Sequence, residues 1–148
     1  MGSWGKSLAD AVIQGKAVKV GILSGNQSQL GMRQRLKSVK DKLEEAGIEI
    51  SWILSEKELD KKMRNVEYFA EQPVDTVISL DNDDTEKAVD IILNDDRISW
   101  KLYGEGRSEK LIYYLDKGTI QELAVPNEYY MGYQSIVLAA QNIRYYTD

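Results

Sequence analysis

The feature that most constrains the fold is an alternation. Short runs rich in β-branched residues take turns with longer stretches whose apolar residues recur at helical spacing. The runs are 17–23 (AVKVGIL), 48–54 (IEISWIL), 75–80 (DTVISL), 99–103 (SWKLY) and 119–125 (TIQELAV), and each reads as a strand. Between them, 29–46 places Met32, Leu36, Val39 and Leu43 on one helical face. The stretch 59–71 turns Met63, Val66 and Phe69 or Ala70 inward, and 85–93 does the same with Ala88, Ile91 and Ile92. A short helix is predicted over 108–115, a first helix over 4–14 and a last one over 130–146. The punctuation agrees. Gly15, Gly47 and Lys117-Gly118 stand where helices should stop, Pro73 breaks one, and Ser55 is placed to cap another. Strands separated by helices of this length imply right-handed crossovers and a parallel sheet. The expectation is a three-layer α/β/α open parallel sheet of about five strands, flavodoxin-like, in a single unit spanning 1–148.

Composition removes several function classes. The net charge of −5 opposes a sequence-independent grip on nucleic acid, which needs a basic face. It gives no attraction to an anionic membrane either. No apolar run approaches the roughly twenty residues of a membrane span, and the first residues, MGSWGKSLADAV, lack the apolar core of a signal peptide. The chain has no cysteine and no histidine. That removes the commonest general base, the commonest transition-metal ligand and every Ser-His or Cys-His nucleophile. No enzyme activity, cofactor or metal is expected.

Open parallel sheets bind ligands at the loops leaving the strand C-termini. Those loops are 24–29, 55–58, 81–84, 104–108 and 126–130, and they are rich in Ser, Asn, Gln, Asp and Arg. Such side chains suit a neutral polar solute, although loops are commonly polar anyway. In DNDD at 81–84, Asp83 or Asp84 is expected to cap the next helix, while another carboxylate could accept bonds from sugar-like hydroxyls. The cluster lacks the loop Gly and distal Glu of an EF-hand. Arg33 and Arg35 stand early in a helix, where a cation is poorly matched to the dipole and better explained by a partner. The SGNQS loop at 24–28 could cradle an anion, but without the Lys-Ser/Thr ending of a P-loop. It carries the alternative reading, a flavodoxin-like flavin-binding electron carrier. A receiver-type phosphoacceptor would need an acidic pair after the first strand, which is absent. Of the tryptophans and tyrosines, Tyr129 and Tyr130 stand out because they follow a strand-end loop.

The segment DKGTIQELAVPNEYYMGYQS at 116–135 resembles the end of type I periplasmic solute-binding proteins and lactose-repressor-type effector domains, through Gly118, Ile120, Asn127, Met131, Gly132 and Tyr133. Gly104, Gly106 and Ser108 are similar to that family's Gly-rich turn before a short helix. Asn82-Asp83 resembles its Asn-Asp pair, and Arg33 with Arg35 its Arg-x-Arg helix start. The opening MGSWGKSLADAVIQGKAVKVGIL resembles the point where the family's chain enters its second lobe. The resemblance covers nearly the whole chain but half of the family's two-lobed fold, namely the C-terminal lobe. It implies a non-enzymatic, small-solute-binding lobe for a carbohydrate, held against a missing N-terminal lobe. It also implies transport or sensing outside the cell or in the periplasm, as part of a larger exported protein. The implied ligand-binding set is Arg33, Asp81, Asp83, Glu105 and Asn127. Two departures bear on the ligand: Pro126 replaces a common Gln, and Glu105 a common Asp. A lone lobe is also expected to self-associate or to expose an apolar patch near its first helix and last strand.

Overall fold

The computed structural model describes residues 3–130 and 138–147, with side chains from Leu8 onward. The strands are β1 (Lys19–Gly25), β2 (Glu49–Ser55), β3 (Thr76–Ser79), β4 (Lys101–Glu105), β5 (Ile120–Pro126) and β6 (Ile143–Tyr146). They form one sheet in the order β2-β1-β3-β4-β5-β6, and every neighbouring pair is parallel. The helices are α1 (Ser3–Gln14), α2 (Leu30–Glu45), α3 (Glu56–Met63), α4 (Glu67–Glu71), α5 (Asn82–Asn94) and α6 (Glu109–Asp116).

Alternate strand residues feed two separate cores, because successive side chains of a strand point to opposite faces. Val20, Ile22, Ile78, Tyr103, Ala124 and Tyr146 pack with Leu8 and Val12 of α1 and Val39 and Leu43 of α2. Leu23, Val77, Leu102, Leu123, Val125 and Ile143 pack on the other face with Leu59, Phe69, Ala88, Leu111 and Leu115, from α3 to α6. This is the three-layer arrangement that the alternation predicts. On the second face Trp52 lies within 6 Å of both Phe69 and Trp100, at tilted to edge-on angles. The Trp52 indole also explains a glycine inside a strand: a Cβ on Gly21 would come within 2.4 Å of its ring.

Capping agrees with the sequence in part. Ser55 and Glu58 form a capping box at the start of α3. At α5 the cap is Asp81, whose Oδ1 accepts the Asp84 N–H at 2.8 Å. The expected caps, Asp83 and Asp84, instead lie inside the first turn. The single helix predicted over 59–71 is two helices. Asn65 Oδ1 takes the Glu67 N–H at 3.2 Å, which offers the backbone an alternative to helix continuation.

The last helix is the larger correction. Residues 127–129 form one 3₁₀ turn, 140–142 another, and Ile143–Tyr146 is a sixth strand rather than a helix. Pairing Ile143–Tyr146 with Leu123–Pro126 satisfies backbone groups that β5 would otherwise present unpaired at an edge. Ile143 on one face and Tyr146 on the other then complete both cores. The Met131-Gly132-Tyr133 motif lies outside the described residues. Among those described, no helix is long and apolar enough to cross a membrane.

Candidate functional site

The strand order defines where a ligand belongs. The chain steps from β1 outward to β2, then returns past β1 to β3, so the topological switch point lies between the C-terminal ends of β1 and β3. Gly25 ends β1 there with φ +68, a conformation that favours glycine. Its N–H donates to Asp84 Oδ2 at 3.0 Å, so a side chain from α5 spans the crevice. A Cβ at Gly25 would also come within 2.9 Å of Asp81 Oδ2 and 2.7 Å of Met32 Cε.

Asp84 is fully buried, and its Oδ1 has no hydrogen-bond partner among the described residues. Burial, reinforced by the Asp81 charge, raises its carboxyl to about 7, against the opposing pull of the Gly25 N–H and Lys87. Below that pH it sits at the switch point as a neutral acid.

A second polar cluster lies at the end of β4. Glu105 is buried and forms an ion pair with Arg35 of α2. Arg35 Nη1 also donates to the Leu80 carbonyl at 2.8 Å, and Nη2 to Tyr146 Oη at 2.8 Å. The Tyr146 hydroxyl donates in turn to Glu105 Oε1 at 2.9 Å. Burial pushes the Glu105 carboxyl up, while the Arg35 charge and the Tyr146 bond pull it down. Burial is the largest of these effects, so the net direction is upward. Nearby, Thr85 Oγ1 lies 2.8 Å from the Asp81 carbonyl and 2.7 Å from that of Glu105. Asn82 Oδ1 accepts the Arg107 N–H at 2.8 Å, and its amide and the Ser108 hydroxyl both donate to Glu86. The loops after β3 and β4 are thereby joined.

Of the five predicted site residues, Asp81 and Glu105 follow neighbouring strands at this rim, Asp81 partly exposed and Glu105 buried. Asp83 is exposed in the first turn of α5. Arg33 is exposed, and its Nη1 donates to the Gln27 carbonyl at 2.9 Å. Asn127 is exposed beyond β5 and donates to Thr147 Oγ1. Arg35, rather than Arg33, reaches the end of the central strands. Its position two residues further along α2, near the buried Met32 and Val39, is the signal that separates the two. Asp84 and Tyr146 had no signal of their own in the sequence. Tyr129 is exposed with the Arg107 guanidinium 4.2 Å from its ring centre, and Tyr130 stacks edge-on against Tyr145. Trp52, Trp100 and Tyr103 are core residues.

The 24–28 loop closes on itself. Asn26 Oδ1 accepts the Ser28 N–H and hydroxyl, and the Gln27 amide donates to the Ser24 carbonyl. A groove of about 490 Å³ lies at the opposite end of the sheet, where β3 and β4 begin, against Phe69, Val74, Ile98 and Trp100. That is the wrong end for a ligand of an open parallel sheet. Among the described residues, no group of three or more carboxylates is arranged to hold a metal ion.

A six-stranded, all-parallel sheet with polar loops at its switch point is the architecture of a ligand-binding α/β lobe. The periplasmic binding protein domain family matches residues 3–145, and the chain belongs to that family. Solved structures agree on the fold. A periplasmic sugar-binding protein of an ABC sugar transporter from Legionella pneumophila aligns with TM-score 0.72 and 18% identity, over 89% of this chain and 51% of that one. The substrate-binding protein of a sugar ABC transport system from Bordetella parapertussis gives TM-score 0.70 and 16% identity, over 80% of this chain and 39% of that one. A glucose-galactose binding protein from Geobacillus stearothermophilus gives TM-score 0.65 and 20% identity, over 96% and 55%. The chain thus spans 39% to 55% of the length of these proteins, consistent with one lobe. No curated protein sequence matches it. None of these matches lends support to the flavodoxin-like alternative.

Proposed function

We propose that the chain is a non-enzymatic lobe that binds a small carbohydrate-like solute at the C-terminal rim of its sheet, in a transport or sensing protein that works outside the cell or in the periplasm. The observation that carries this reading is the family match over residues 3–145. The solved proteins of the same fold are described as sugar-binding or sugar-transport components, which supports a sugar as the ligand class. The rim supports it too. Asp81, Asp83, Arg33 and Asn127 offer carboxylate, guanidinium and amide groups at least partly open to solvent, the chemistry that pairs with hydroxyls. Tyr129, exposed two residues beyond Asn127, offers a ring face to a sugar.

A lone lobe supplies half of the contacts and lacks the closure that buries a ligand. Galactose is therefore expected to bind no tighter than about millimolar, the affinity scale of a few contacts. Amide chemical-shift mapping checks this. Shifts should gather at Gly25, Asn82, Gly106 and Asn127 and leave Val74 and Trp100 unmoved. Shifts at the opposite groove, or none at the rim, would overturn the reading, and micromolar binding in a calorimetric titration would overturn the half-site argument.

The partner is a second lobe, and in its absence the chain is expected to self-associate. Sedimentation should show a concentration-dependent increase in mass; a strictly monomeric species at high concentration would refute this.

A further inference from the structure

Three loops of the rim are tied to one another around Arg107. Asn82 Oδ1, at the start of α5, accepts the backbone N–H of Arg107 at 2.8 Å and that of Ser108 at 3.3 Å. Ser108 caps α6, its Oγ accepting the Leu111 N–H at 3.4 Å. On the other side, Gly106 is packed so closely that a Cβ there would come within 2.2 Å of Leu111 Cδ1. The backbone that carries Arg107 is therefore fixed before and after it. Its side chain crosses to the loop after β5, where the guanidinium carbon lies 4.2 Å from the ring centre of Tyr129. That distance is well inside the range of a cation–π contact.

The ring is the partner of this cation. Arg107 is exposed, and among the described residues its guanidinium makes no hydrogen bond and no carboxylate comes within ion-pair distance of it. The Arg107 charge acts on Glu105, but that carboxylate is buried and turned toward Arg35 and Tyr146. Arg33, by contrast, donates to the Gln27 carbonyl. Stacking on a ring orders the guanidinium plane through its face and leaves the N–H groups around its edge. A carboxylate or a phosphate accepts two parallel bonds from such an edge.

We propose that Arg107, laid on Tyr129, is a specificity-determining residue of the rim that takes an anionic group, carboxylate or phosphate, carried by the sugar solute. The inference rests on the solute-binding reading above and narrows its ligand to acidic sugars. Asp81, Asp83 and Asn127 remain for the hydroxyls, and Asn82 is the positioning residue that sets the base of Arg107. The net charge of −5 and the exposed carboxylates of Asp83 and Glu128 oppose an anion at longer range. A preference for an acid over the neutral sugar therefore has to come from local pairing.

The test is a titration of the full chain with galactose, galacturonate and galactose 6-phosphate at constant ionic strength, read on the amides of Asn82, Gly106, Ser108 and Tyr129. At least one of the acids should bind with a Kd about tenfold or more below that of galactose, the scale of one charge-assisted contact. Which acid gains identifies the anion. Arg107→Gln should bring the ratio of the affinities to about one, and Arg107→Lys, which keeps the charge without the planar fork, should restore only part of it. Arg107 is exposed, so neither replacement touches the core. Rim shifts with equal affinities for all three sugars would overturn the proposal and leave the sugar reading standing. A preference for an acid that survives in Arg107→Gln would overturn it too. No rim shift with any of the three would remove the sugar reading and this inference together.

Discussion

Asp84→Asn is expected to abolish a pH dependence of stability that the wild type shows between about pH 4 and pH 7, the interval between the ordinary and the buried carboxyl. The Asp84 carboxyl rises from 3.8 to about 7 because it is buried beside Asp81 at the switch point. The sign follows from linkage. A folded state that holds the proton more tightly than the unfolded chain is favoured while the group is protonated in both. That stability is complete below about pH 4 and is lost as the pH rises through about 7. The rise from 3.8 to about 7 corresponds to roughly 4 kcal/mol as an upper bound. Asn keeps an oxygen for the Gly25 N–H and carries no charge at any pH. Urea denaturation of both proteins at several pH values provides the check. The two should converge at the acid end, and the variant should be the more stable near pH 8. Parallel profiles would mean that the Asp84 carboxyl is solvated or paired, contrary to its burial.

Phe69→Ala is expected to cost about 3–5 kcal/mol, the usual range for removing a buried aromatic ring. Phe69 is 1% exposed. Its ring centre lies 5.6 Å from that of Trp52, 5.3 Å from Trp100 and 5.5 Å from Tyr68, all close to edge-on. These rings join α4 to β2 and to the start of β4, and none can collapse into the space without breaking the others' contacts. For a domain whose total stability is on the order of 5–15 kcal/mol, such a loss is a large share. Water reaching the void from the adjoining groove would set the value at the lower end. Phe69→Leu, which keeps most of the volume, should cost less than about 1.5 kcal/mol. A midpoint shift in urea with unchanged slope is the expected form of the result. A cost below about 1 kcal/mol for Phe69→Ala would show that the cluster is loosely packed.

The class of fold was legible in the sequence, and so was the rim proposed here for the site. Both follow from local rules: β-branched runs, helical periodicity and residues that stop helices act within a few positions of one another. The runs ending at Leu23, Leu54, Leu80, Tyr103 and Val125 read as strands on their own, and the structure places a strand at each. Ser55 with Glu58 was readable for the same reason, since a capping box closes within one turn. The tertiary structure alone decided what depends on distant partners. Ile143–Tyr146 reads locally as the end of a helix, and it becomes a strand because β5 presents an unpaired edge beside it. The position of Arg35 near Met32 and Val39 sets it apart from Arg33, but its partner at Glu105, 70 residues away, appears only in the packed sheet. Asp84 looked like one more capping carboxylate of the DNDD cluster. Its role followed from Asp81 taking the cap and from Gly25, 59 residues earlier, offering an N–H across the crevice. Local propensity and pattern belong to the chain, whereas desolvation and pairing belong to the packed sheet. The residues that set the chemistry of this rim are governed by the second pair.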